Sequence, residues 1–75
     1  MQTNMSSGNP YLKNLKILRK RKGWTQEKLA QQAGISFHTL IKVERGYIKN
    51  PKLETLIKLA KALGVSLDKL VGSKK

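Results

Sequence analysis

Residues 26–45 read QEKLAQQAGISFHTLIKVER, and the reading of this stretch decides the fold. It divides at Gly34 into two helical runs, the second ending where Gly46 follows Arg45. Glycine enters the left-handed backbone region without a Cβ penalty, so it stops a helix sharply. Thr25 and Ser36 stand just before the two runs, where a hydroxyl can accept from the unpaired amides of a first turn. Ala30 lies where the second of two steeply crossed helices comes closest, and a larger side chain there would push them apart. Leu40 and Val43, three residues apart, hold the second helix to a core. The expected unit is two short helices joined by a tight turn at Gly34-Ile35.

The same punctuation extends outward in both directions. Gly23, Gly64 and Gly72 also follow stretches with helical apolar spacing, and Ser66 is a further capping residue. Asn9-Pro10 and Asn50-Pro51 each place a capping side chain before a proline, whose missing N–H costs nothing in a first turn. Glu27 and Asp68 fall in first turns, where a carboxylate meets the positive end of the helix dipole. These signals predict five helices, over 10–22, 25–33, 36–45, 51–63 and 66–71. The first turns Leu12, Leu15 and Leu18 inward, and the fourth turns Leu53, Leu56, Ile57, Ala60 and Leu63 inward. The fold class is all-α: a compact bundle of five short helices forming one domain over 10–72, with disordered tails over 1–9 and 73–75.

Sixteen Lys and Arg against four acids give a formal charge of +12 and a pI near 10.4. A polyanionic partner explains such a surplus, although a merely soluble lysine-rich surface is the plainer alternative and the charge needs a motif beside it. With no cysteine and a single histidine, neither a disulfide framework nor a thiolate metal site can form, and no metal or cofactor is expected. No apolar run approaches the ~18 residues of a membrane span. The polar start Gln2-Thr3-Asn4 lacks the apolar stretch of a signal peptide. The expected location is the cytoplasm, in association with the nucleoid, and no membrane partner is expected.

With Leu40 and Val43 inward, the opposite face of the 36–45 helix centres on His38, Lys42 and Arg45, with Ile41 at its edge and Phe37 near the boundary at the N-terminal end. This is the pattern of a helix-turn-helix, whose second helix is presented outward while the first crosses the DNA backbone. At this point the chain resembles the phage Cro and repressor type of helix-turn-helix protein, the Xre-like family. The resemblance is carried by Thr25-Gln26-Glu27-Lys28-Leu29-Ala30, Ala33-Gly34-Ile35-Ser36, Val43-Glu44-Arg45-Gly46, Leu53-Glu54-Thr55-Leu56 and Ala60-Lys61-Ala62-Leu63-Gly64-Val65, and it spans residues 12–71. It implies a lambda-repressor-like DNA-binding domain and a prokaryotic or phage transcriptional regulator.

The resemblance selects Ser36, Phe37, His38, Thr39 and Lys42 as base-contacting residues. Lysine can donate to guanine, His38 can donate to or accept from a base edge, and Phe37 can pack on thymine methyls. A minor core contact is the competing reading of Phe37 and Ile41. Phosphate contacts are expected from Thr25 and Gln26, at a helix N-terminus suited to anions, and from Arg45. The resemblance adds Lys49, Asn50 and Lys52 in the loop after the reading helix. It also implies that Glu44 pairs with Arg19 of the first helix, a structural clamp that leaves the guanidinium near a phosphate. One reading helix makes too few base contacts for genomic specificity, so a homodimer on a two-fold operator is expected, with Val65, Leu67, Leu70 and Val71 facing the partner.

Three other classes compete. An enzyme would need convergent acids, a nucleophile or a phosphate loop, and Glu27, Glu44, Glu54 and Asp68 are scattered one per helix, so no catalytic residue is assigned. A non-specific RNA or membrane-surface binder fits the charge, but four scattered aromatics make no stacking platform. An antitoxin or other protein-interaction module, with a toxin as partner, could use the same fold.

Overall fold

The computed structural model describes residue 12 and residues 14–72. Its helices are α1 (Leu15–Arg21), α2 (Gln26–Ala33), α3 (Phe37–Arg45), α4 (Leu53–Leu63) and α5 (Leu67–Val71), with no strand among the described residues. The tails expected over 1–9 and 73–75 and the Asn9-Pro10 start lie outside the described residues.

Three of the expected caps form. The hydroxyls of Thr25, Ser36 and Ser66 accept from the amides of Lys28, Thr39 and Lys69. Gly34 closes α2 in the left-handed region at φ +73°, with its N–H donating to the Ala30 and Gln31 carbonyls. Nothing lies within 4 Å of where a Cβ would stand at Gly34, so backbone conformation, not crowding, requires the glycine there.

Two helix starts differ from expectation. Leu12 is buried but not helical, and α1 opens at Leu15 behind Asn14, whose amide nitrogen is instead spent on the Lys69 carbonyl of α5 at 2.7 Å. The fourth helix does not begin at Pro51 behind Asn50. Lys52 stays extended (φ −61°, ψ 147°) and makes no side-chain cap, so α4 opens at Leu53 and the Lys52 carbonyl accepts its first bond from Leu56 N at 3.1 Å.

The core runs through all five helices: Leu12, Leu15, Leu18, Leu29, Ala30, Ala33, Leu40, Val43, Leu59, Ala60, Leu63 and Leu70 are buried. Helix α2 packs on α3 and on α4, α4 on α5, and α5 on α1. In α4 the inward stripe is rotated from the expected one. Leu59 is fully buried with Ala60 and Leu63, whereas Leu53 is 62% exposed and Ile57 38% exposed. Sequence spacing admits both stripes, because the helix carries apolar residues around more than half its circumference. Contact with α2 on one side and α5 on the other selects the one centred on Leu59.

A second correction concerns the expected dimer residues. Leu70 is fully buried in its own protomer, between α5 and the rest of the bundle, and is unavailable to a partner. Val65 and Val71 are half-buried against the core, and Leu67 is 36% exposed.

The choice between the two stripes is measurable. Leu59→Ala should cost about 2–5 kcal/mol in urea unfolding, the usual penalty of a buried leucine cavity, while Leu53→Ala should cost well under 1 kcal/mol. Equal costs at the two positions would contradict this packing.

Candidate nucleic-acid interface

The cap of α3 sets where its first turn points. Ser36 Oγ accepts from Thr39 N at 3.0 Å and donates to Thr39 Oγ1 at 2.8 Å, which ties the two hydroxyls together at the N-terminal end. Leu40, Val43 and Glu44 then turn inward and are buried. Phe37, His38, Lys42 and Arg45 are left exposed, with Thr39 and Ile41 half-buried at the edges. The Phe37 ring stands edge-on to His38, centroids 6.3 Å apart, so the two form one aromatic ridge at the start of the helix. Phe37 is 38% exposed, which leaves part of the ring on the outer face rather than in a core contact. Of the flanking residues, Thr25 is exposed at the start of α2, and Lys49, Asn50 and Lys52 are exposed between α3 and α4.

Beneath the outer face lies a buried polar group. Glu44 is 6% exposed and Arg19 7% exposed, and a carboxylate and a guanidinium at that depth must satisfy each other. Arg19 Nε donates to Glu44 Oε2 at 2.6 Å and Nη2 to Oε1 at 3.3 Å, a two-point fork. Its remaining nitrogen, Nη1, donates to the Trp24 carbonyl at 2.9 Å. Each guanidinium nitrogen therefore makes one hydrogen bond within the fold, and the side chain is largely enclosed. Gln26 Nε2 donates to Glu44 Oε1 at 2.9 Å, so this side chain, expected on the DNA backbone, is turned at least in part toward the carboxylate. Lys22 Nζ lies 5.1 Å from the centroid of the Trp24 ring, covering the same turn from outside.

The link from Gln26 and the carbonyl of Trp24 to this pair were not read from sequence. Eighteen residues separate Gln26 from Glu44, and no periodicity connects them. Among the described residues no three His, Cys, Asp or Glu come together to hold a metal ion, and no helix is long and apolar enough to cross a membrane.

The model of the helix-turn-helix family matches residues 15–70. The chain belongs to that family of DNA-binding transcription regulators. It is 47% identical over 58 residues to y4dJ of Sinorhizobium fredii, an uncharacterized HTH-type transcriptional regulator, covering 77% of this chain and 74% of y4dJ. It is 39% identical over 56 residues to the HTH-type transcriptional regulator SlrR of Bacillus subtilis; the match covers 75% of this chain but only 37% of that longer protein. Among solved structures, the restriction-modification controller protein C.AhdI of Aeromonas hydrophila superposes with a TM-score of 0.74 at 36% identity, over 81% of this chain and 91% of that one. SinR, a master regulator for biofilm formation solved in complex with DNA, superposes with a TM-score of 0.73 at 34% identity, over 77% of this chain and 92% of that one. The five-helix regulator thus shares the lambda-repressor-like arrangement that its sequence resembles.

In this regulator the buried pair makes a stability test direct. Glu44→Ala strands the Arg19 cation and should lower the unfolding free energy by about 3–5 kcal/mol, and adding Arg19→Ala should recover part of that loss. A double-mutant cycle on urea unfolding of the DNA-free protein reads the coupling. Additive effects would show that the two side chains do not act as a pair in solution.

Proposed function

We propose that this regulator reads the major groove of duplex DNA with α3 and binds a two-fold operator as a homodimer. The observation that carries the reading is the division of α3: three residues of one face are buried while Phe37, His38, Lys42 and Arg45 point outward from a rigid, capped helix. Rigid presentation matters because base edges are discriminated by geometry, each good pairing contributing about 1–3 kcal/mol. Ser36, Phe37, His38, Thr39 and Lys42 are the base-contacting group, the N-terminal end of the helix being the part that enters the groove.

Phosphates are held on either side of that helix. Thr25 presents a hydroxyl and the amides of the α2 N-terminus, Gln26 an amide hydrogen beyond the one given to Glu44, and Arg45, Lys49, Asn50 and Lys52 the opposite flank. The SinR–DNA complex, a structural relative, supports duplex DNA as the ligand. The second copy would cover Leu67 together with the half-buried Val65 and Val71. No catalytic step is assigned, and its working place is the chromosome of a prokaryotic cell or the phage DNA within it.

Duplexes selected from a random pool supply the specific ligand. Against such a duplex, Lys42→Ala and His38→Ala should each lose about 1–3 kcal/mol of specific binding while unfolding normally. Unaltered sequence preference in both variants would remove α3 as the reading element. Log affinity should also fall linearly with log salt, and Lys49→Ala and Lys52→Ala should each reduce the slope by about one unit. Slopes equal to that of the parent protein would remove that loop from the phosphate contacts.

A further inference from the structure

The outer face of α3 carries two strips of unlike chemistry. Residues three or four apart on a helix share a side, so His38, Lys42 and Arg45 form a polar strip, and Phe37 and Ile41 form an apolar one beside it. Neither Phe37 nor Ile41 joins the buried core, and Phe37, the first residue of the helix, keeps 38% of its surface exposed. Its ring meets the His38 imidazole edge-on, at an interplanar angle of 72°. Ser36 spends its hydroxyl hydrogen on Thr39 Oγ1, and Thr39 is half-buried, which leaves the ring and the imidazole as the outer features of the first turn. The charges beside the apolar strip, on Lys42 and Arg45, are both positive, and Glu44, the acid of α3, is buried. The strip therefore lies on a surface suited to a polyanion.

We propose that Phe37 is a specificity-determining residue that reads the C5-methyl group of a pyrimidine, so that this regulator responds to cytosine methylation in its operator as well as to thymine. The inference rests on α3 being the reading helix. Base pairs present hydrogen-bond donors and acceptors in the major groove, and the apolar feature among them is the methyl group on pyrimidine C5. A phenyl ring makes no such hydrogen bond. Against any other base edge it covers polar atoms without pairing them, which costs free energy. Against a methyl group it removes apolar surface from water on both sides, and the gain for one methyl is about fourfold in affinity. Methylated cytosine carries that group at the same ring position as thymine. The phenyl ring senses the methyl and makes no use of the exocyclic oxygen or nitrogen that tells the two bases apart. Ile41, one turn further on, extends the same apolar strip along the helix.

The test uses the full chain and a duplex selected from a random pool, with affinity read by fluorescence anisotropy. Single dT→dU replacements remove one methyl each and leave every hydrogen-bonding group of the duplex in place. One such replacement in each half-site should weaken binding by the parent protein about fourfold and leave Phe37→Ala unaffected. Phe37→Leu, which keeps an apolar side chain, should retain part of the difference, and circular dichroism checks that both variants fold. At that same position a dC·dG pair should bind more weakly than dT·dA, and methylating C5 of the dC should restore about fourfold. The uracil and methylcytosine arms need no variant and decide whether a methyl is read at all. An equal dT→dU cost in the parent protein and in Phe37→Ala would assign the methyl to another residue and overturn the proposal. Absence of any dT→dU effect, or a dC whose methylation changes nothing, would overturn it too and leave α3 as the reader. A parent protein that binds the selected duplex no better than a scrambled one would instead overturn the reading of α3, and the inference with it.

Discussion

The Glu44 carboxylate is buried, and an ionised group so placed is tolerable only when its lone pairs are filled. Arg19 fills them from α1 and Gln26 from α2, while the Trp24 carbonyl takes the last guanidinium nitrogen. Three helices and the turn between two of them are thereby registered on one carboxylate near the end of α3. Apolar packing alone would not do this. Leu40 and Val43 select which face of α3 is inward, but aliphatic contacts are non-directional and allow small rotations and tilts. A forked ion pair has angular requirements, so it sets the direction in which the outer face points.

Burying that acid also shapes the electrostatics. Of the four carboxylates in the chain, one is enclosed with its own cation, and another, Glu54, has Lys58 within 3.5 Å on an exposed helix surface. The exposed pair contributes little to stability, since both side chains are solvated and screened. No acid lies on the exposed face of α3 or in the loop carrying Lys49 and Lys52, so nothing there opposes a polyanion. The surplus of positive charge becomes directional because the fold removes Glu44 from that surface.

The apolar surface follows from the same economy of size. A five-helix bundle this small has room for one row of leucines from α4, and Leu59 and Leu63 occupy it. Leu53 and Ile57 are displaced outward, and the short α5 spends Leu70 on the core, which leaves Leu67 as its exposed apolar residue. The surface available to a second copy is therefore narrower on α5 than its apolar composition suggests.

Local features of the sequence determined much of this protein. Thr25, Ser36 and Ser66 cap because a hydroxyl beside free amides acts within one turn, and Gly34, Gly46, Gly64 and Gly72 stop helices because positive φ is a property of a single residue. The number and order of helices and the outward face of α3 follow from such short-range rules, as does the excess charge. The start of α4 was less legible, since Asn50-Pro51 satisfies the capping pattern while the backbone is still extended at Lys52. Only the tertiary structure decided between the Leu53 and Leu59 stripes of α4, withdrew Leu70 from any partner, and turned Gln26 toward Glu44. Each of these depends on what another helix, distant in sequence, places opposite the residue, and no spacing within a single helix carries that information.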